Sequence, residues 1–306
     1  MLNIYVCTRK HARHDRLSEQ QAVKLYIIGN GFDISHEMPT QYSDFKKHLR
    51  SKDPAAADML EEYLSCRDLW TDFERALGTI DARRILTTES EEYLPSRPGE
   101  IPDERDFSQV ADAMSFKTQN LHERILKELK NWISNVAIPS HRIDYLIDTQ
   151  DSLFFTFNYT KVLEKLYQIP DTRVMHIHGY TDSPIIGHGN TYHKSYFREE
   201  EAWWLTDEAD DATRSFLKKT HKDVSEIISR HHKYFSGLSH IDSIEIIGHS
   251  MNDIDMPYYE VIRRSVREDA KWTIYWHSPD DKAAAEHLVS HLNLTCYEIR
   301  RWSVSY

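Results

Sequence analysis

The chain has 306 residues, with 38 Lys and Arg against 49 Asp and Glu and a formal net charge of −11, which argues against broad binding of a phosphate backbone by the whole surface. Its three cysteines, Cys7, Cys66 and Cys296, lie far apart with no CxxC pair, so neither a disulfide framework nor a cysteine-zinc ribbon is expected. No apolar run approaches the roughly 20 residues that span a bilayer and the first residues lack an apolar signal core, which gives the reading of a cytoplasmic protein long enough for one elaborated domain or two.

Residues 2–7 read as a short strand and 8–16 as a polar, basic, solvated run, together a loose leader or an edge addition to the fold. The first clear element is the apolar run Tyr26, Ile27 and Ile28, which breaks off in Gly29-Asn30-Gly31-Phe32-Asp33 before a helix-forming segment. Such a run suits a strand buried on both faces of a parallel sheet. Residues 41–150 then read as mainly helical, over 42–49, 55–66, 67–77, 107–136 and 142–149, and form an insertion layer expected to cap the sheet edge. Trp70 and Glu74 share a face of the 67–77 helix: either Trp70 packs on the core and Glu74 stays in solvent, or Glu74 reaches the ligand crevice. Within this layer, residues 87–106 carry Pro95, Pro98, Gly99 and Pro102 and read as a surface loop.

The second strand, 152–157, runs into Asn158-Tyr159-Thr160 and a helix over 159–167. The third, 174–179, ends in His176-Ile177-His178-Gly179, where alternation puts His176 and His178 on one face. A second insertion at 192–240 holds Trp203 and Trp204, read as core anchors, and a helix over 213–234. The chain closes as strand 243–247, helix 255–267, strand 271–277, helix 280–291 and strand 294–299, a βαβαβ rhythm. The fold class is α/β: a Rossmann-like, mostly parallel sheet with helices on both faces and a large helical insertion.

Ligands in open α/β sheets sit at the carboxyl ends of the strands, so the tips at Gly29, Asn158, His178 and Gly248-His249-Ser250 converge on one edge. Each tip has a plainer reading. Gly29 and Gly31 serve equally as a phosphate-approach turn or a tight turn, because position 34, where the dinucleotide fingerprint has its third glycine, is Ile. Asn158 and Asp253 also suit helix N-caps, and His178 a satisfied strand-end histidine. His176, His178, His188 and His193 raise a metal site, but their spacing fits no zinc module and no acidic residue lies beside them, so no metal is expected.

Gly29-Asn30-Gly31-Phe32-Asp33, Phe157-Asn158-Tyr159-Thr160, His176-Ile177-His178-Gly179 and Gly248-His249-Ser250 with Asp253 together resemble the phage abortive-infection AbiH family. Trp70-Thr71-Asp72-Phe73-Glu74 and Ile186-Gly187-His188-Gly189-Asn190 also look like its signatures, and the likeness spans about 24–299. That family in turn resembles the sirtuin-like NAD-binding fold of antiviral NAD hydrolases. The resemblance implies one sirtuin-like domain over 24–306, after a leader at 1–23, with insertions at about 41–150 and 192–240. It implies that Asn158 holds the nicotinamide ribose and a water, and that His178 acts on the ribose hydroxyls. Gly29, Gly31, Gly248 and Ser250 match phosphate and adenosine-ribose contacts, and Asn30, Phe32, Asp33, His249 and Asp253 complete the implied cofactor set. Cleaving the N-glycosidic bond develops oxocarbenium character and needs a positioned water and a base near neutrality, roles that Asn and His supply.

The resulting expectation is an antiphage abortive-infection effector that binds NAD and hydrolyses it to nicotinamide and ADP-ribose. Thr160 stands where sirtuin-like enzymes usually carry an Asp, which favours the alternative of a non-catalytic nucleotide-sensing module that controls assembly or partner contacts. A metal-dependent nuclease is the third reading. The expected partners are NAD or a related nucleotide, a phage-derived trigger and further copies of the chain, with neither membrane nor nucleic acid.

Overall fold

The computed structural model describes residues 24–95, 99–143, 147–190, 197 and 203–302. The expected leader and His193 lie outside the described residues. In chain order the first elements are β1 (Lys24–Ile28), α1 (Asn30–Ser35), α2 (Tyr42–Lys52), α3 (Pro54–Tyr63), α4 (Phe73–Leu77), α5 (Ala82–Tyr93) and α6 (Glu104–Asn135). Then come β2 (Ser152–Thr156), α7 (Val162–Lys165), β3 (Val174–His176), α8 (Trp204–Lys219), α9 (Val224–Arg230) and α10 (His232–Ser236). The last are β4 (Ser243–Ile247), α11 (Met256–Ser265), β5 (Lys271–Trp276), α12 (Pro279–His291) and β6 (Tyr297–Arg301).

These elements fall into two compact units: a sheet unit of the chain up to Thr40, Val136–Asp182 and Asp223 onward, and a helical unit of Gln41–Asn135 and Ser183–Lys222. In the sheet unit six strands run parallel in the order β3-β2-β1-β4-β5-β6. This is the doubly wound order, and its direction reverses between β1 and β4. Ile28 pairs with both Thr156 and Ile247, so β1, β2 and β4 end level. Helices cover both faces. Tyr26, Ile28 and Phe154 pack with Phe32, Val162 and Leu163, whereas Phe155, pointing the other way, meets Tyr234, Phe235 and Tyr258. At the sheet's outer edge β6 carries Glu298, Arg300 and Arg301, charges that discourage further strand pairing.

Local chemistry explains where elements start and stop. Asp53 accepts from the Ala56 amide with Pro54 in the first turn of α3, and Ser278 and Asp281 form a capping box before α12. Asp72 caps α4 through the Arg75 amide, so the helix expected over 67–77 begins only at Phe73. Trp70 therefore precedes the helix and stacks on Phe73 with ring centroids 5.4 Å apart. The expected loop 87–106 is helical up to Tyr93, within α5.

Other expectations are also corrected. None of the described residues of 142–149 is helical; the Ile143 and Asp148 amides instead donate to the hydroxyls of Tyr167 and Tyr26. The helix expected over 159–167 shrinks to the single turn of α7. The expected 213–234 helix breaks into α8, α9 and α10, because Lys222 turns back to donate its amide to His188 and Asp223 caps α9. The last strand starts at Tyr297 rather than 294, since Asn293, at φ 51, first turns the chain out of α12.

In the helical unit, α6 buries Val110, Met114, Leu121, Ile125, Leu129 and Trp132 along one stripe. Phe45 joins that stripe to Phe73 and Trp132. Trp203 and Trp204 are not core anchors: they are 44% and 42% exposed, with Trp203 set edge-on against Phe107. Glu74 is held inside this unit, accepting from the Tyr42 hydroxyl (3.0 Å) and pairing with the buried ammonium of Lys222 (2.6 Å).

Candidate functional site

The C-terminal edge of the sheet unit gathers the tips of β1, β2, β3 and β4. After β1 the Gly29 and Gly31 amides donate to Ile247 O (2.9 Å) and Gly248 O (2.8 Å). A Cβ on Gly29 would lie 2.5 Å from both Gly248 O and His249 Cα, and one on Gly31 2.7 Å from Gly248 Cα. The close approach that these glycines permit is thus between two strand tips, with both amides engaged by backbone carbonyls. Gly248 has φ +66, the left-handed region that glycine adopts without strain. Of the other candidates near this turn, Phe32 is fully buried against His36 and Tyr167, and Asn30 donates to Thr40 O.

Asp33, in α1, is completely buried. Asn158 donates its side-chain amide to Asp33 (2.9 Å) and to Gly29 O (3.1 Å), and the Thr160 hydroxyl donates to the second Asp33 oxygen (2.6 Å). Asn158 therefore ties the end of β2 to the turn after β1 and caps no helix; Lys161 occupies the N-cap of α7. Burial pushes the Asp33 carboxyl up to about 6, against the opposing pull of the Thr160 and Asn158 donors.

β3 stops at His176, and the chain turns through Ile177 and His178 to Gly179 at φ +75. The shared strand face expected for His176 and His178 is lost in that turn. His176 donates from Nδ1 to Asn158 O (2.9 Å), and its Nε2 lies 2.8 Å from Glu164, so one proton sits between that pair. His178 instead places Nε2 3.5 Å from Asp255 Oδ1. On the other oxygen of the same carboxylate, His249 Nε2 lies 3.5 Å from Oδ2. The Phe157 ring lies against both imidazoles, with centroids 5.1 Å from His178 and 4.0 Å from His249. Ser250 and Asp253 are exposed; Asp253 opens a short 3-10 turn and caps no α-helix through its side chain.

Two participants were missed in sequence: Glu164 and Asp255. Both carboxylates lie in helical segments a few residues after a recognised tip, and no local pattern says which histidine each will meet. His188, grouped with the other histidines in sequence, belongs to the helical unit. There its Nε2 donates to Leu217 O (3.1 Å) and its Nδ1 accepts from the Asn190 amide (3.1 Å). Among the described residues no group of three or more His, Cys, Asp and Glu side chains is arranged to hold a metal ion. Likewise, no helix among them is long and apolar enough to cross a membrane.

The family described as Bacteriophage abortive infection AbiH matches residues 25–276. The chain belongs to this family. The AbiH match runs from β1 through β5, taking in the segments of the helical unit and every residue of the sheet-edge cluster from Gly29 to Asp255. Membership gives the protein an antiphage role in abortive infection. No curated protein sequence matches the chain.

Proposed function

We propose that this AbiH protein is an abortive-infection effector that binds NAD at the C-terminal edge of its parallel sheet and hydrolyses it to nicotinamide and ADP-ribose. The observation that carries the reading is a buried imidazole, His178, held beside a carboxylate at the carboxyl ends of the strands, where doubly wound sheets take nucleotides. The likeness of the sequence motifs to sirtuin-like NAD hydrolases supports the same site. In the reaction, water adds to C1′ of the nicotinamide ribose as the bond from C1′ to the nicotinamide nitrogen breaks. Nicotinamide leaves as a neutral molecule and the proton of the water passes to His178. Asn158, whose amide nitrogen is engaged with Asp33 and Gly29, keeps Oδ1 for a ribose hydroxyl or that water.

One observation favours a second reading, a module that senses a nucleotide without cleaving it. Asn158 and Thr160 both direct donors at the protein's own Asp33 rather than outward. Incubation of purified protein with NAD separates the readings. Nicotinamide release by the wild type, abolished in a folded His178→Ala variant and unaffected by a strong chelator, is the expected result. Saturable NAD binding without release would favour sensing, and absence of both would overturn the two together. Release that depends on metal would instead support the nuclease-type metal chemistry.

A further inference from the structure

We infer that Asp255 is the shared anchor of a two-histidine unit, one carboxylate positioning His178 from one oxygen and His249 from the other. This deepens the proposed function and rests on it for the identity of the reaction, but the arrangement itself stands on geometry. Asp255 occupies the N-cap of α11, a position where an Asp side chain ordinarily accepts from the first-turn amides, yet it makes no capping hydrogen bond. Its two oxygens instead face Nε2 of His178 and Nε2 of His249, each at 3.5 Å.

The His249 ring is fixed from its far side. Its Nδ1 accepts from the Met251 amide at 2.8 Å and lies 2.9 Å from the Tyr259 hydroxyl. An amide nitrogen only donates, so the His249 proton resides on Nε2, the ring nitrogen 3.5 Å from Asp255 Oδ2. Met251 holds this bond from a φ of 54, a left-handed conformation uncommon for a side chain of its kind, so the surrounding structure enforces the ring's orientation.

Phe157 screens both imidazoles, Tyr258 packs edge-on against His178 with centroids 5.8 Å apart, and all three members of the unit are buried. Asp255, Tyr258 and Tyr259 face the two rings. Burial, with Asp255 adding to it, keeps the Tyr259 hydroxyl protonated far above neutrality. Asp255 touches no reacting atom in this scheme; it is a positioning residue.

Histidine 15N NMR of the full chain tests the assignment without reference to NAD. In the wild type, His249 is expected as the Nε2-protonated tautomer, with the Nε2 signals of both His178 and His249 sensitive to the carboxylate they share. Asp255→Asn should move the Nε2 signals of both imidazoles together, and Asp255→Glu should restore them in part. If NAD is hydrolysed, Asp255→Asn should also reduce kcat by about 10²-fold with KM little changed. Should Asp255→Asn fail to fold, His249→Gln serves in its place: with a single imidazole left on the carboxylate, the His178 Nε2 signal should move. Unaltered His178 ring 15N signals in whichever variant folds would overturn the inference. A normal NMR response with no nicotinamide release would overturn only the NAD reading.

Discussion

Asn158 reaches across from the tip of β2 to donate to Asp33 over 2.9 Å, so the residue proposed to hold the ribose also holds together the turn beneath it. Asn158→Ala is therefore expected to lower stability by about 1–3 kcal/mol, because it leaves a buried carboxylate with one donor fewer. Thermal melting checks this. An Asn158→Ala protein that melts with the wild type would show that the tie contributes nothing, and loss of turnover in it would then report chemistry alone.

Asp33 should make stability depend on pH in an unusual direction. Its folded pKa of about 6 lies above the ordinary 3.8, so between those values the folded state binds more protons than the unfolded one. Stability from this group is complete below about pH 4, falls as the pH rises and levels off above about pH 6, a loss on the order of 3 kcal/mol. Asp33→Asn should abolish the slope. The test is the difference between wild-type and variant denaturation midpoints across pH 4–7; a constant difference would refute the assignment.

His188 should act in the opposite sense. Burial lowers its imidazole from 6.5 to about 4, so the folded helical unit holds it neutral. Its contribution is complete above about pH 6.5 and is lost as the pH falls toward 4, again on the order of 3 kcal/mol. Replacing it by Gln should flatten that acid limb while lowering stability at neutral pH, where the Leu217 and Asn190 bonds are disturbed. An acid limb of unchanged slope in His188→Gln would count against a buried neutral imidazole.

Gly31→Ala tests the packing of the strand tips. The added methyl would sit 2.7 Å from Gly248 Cα, and backbone at a sheet edge has little freedom to withdraw. A loss of about 1–3 kcal/mol is expected, visible with no ligand present. Undiminished stability with a selective loss of nucleotide binding would instead return Gly31 to the role of a phosphate-approach glycine.

The sheet was legible in sequence because parallel strands buried on both faces are continuous apolar runs, as Tyr26–Ile28 shows. The long α6 was legible for the complementary reason, a one-sided stripe at helical spacing. Errors came where one side chain overrode a local trend: the Asp72 cap shortened α4, and Asn293 delayed β6. Trp203 misled because aromatic bulk alone does not say which face of α8 meets a neighbour. At the site the strand tips were readable, but partner choice was not. His176 and His178 look alike in sequence, yet a turn ending at Gly179 sends one to Glu164 and the other to Asp255. Pairings between residues so far apart are fixed by the tertiary fold.

The pairing of Glu74 with the buried Lys222 sets a schedule for the nascent chain. Glu74 belongs to the first stretch of the helical unit and Lys222 closes the second, while β2 and β3 of the other unit are synthesised in between. A ribosome releasing about 5–20 residues per second leaves the first stretch waiting on the order of ten seconds for the cation that pairs with its half-buried carboxylate. β1 waits longer still for β4, its neighbour across the switch point. Both halves of the protein thus mature late and nearly together, which keeps the sheet-edge cluster unassembled until most of the chain has emerged.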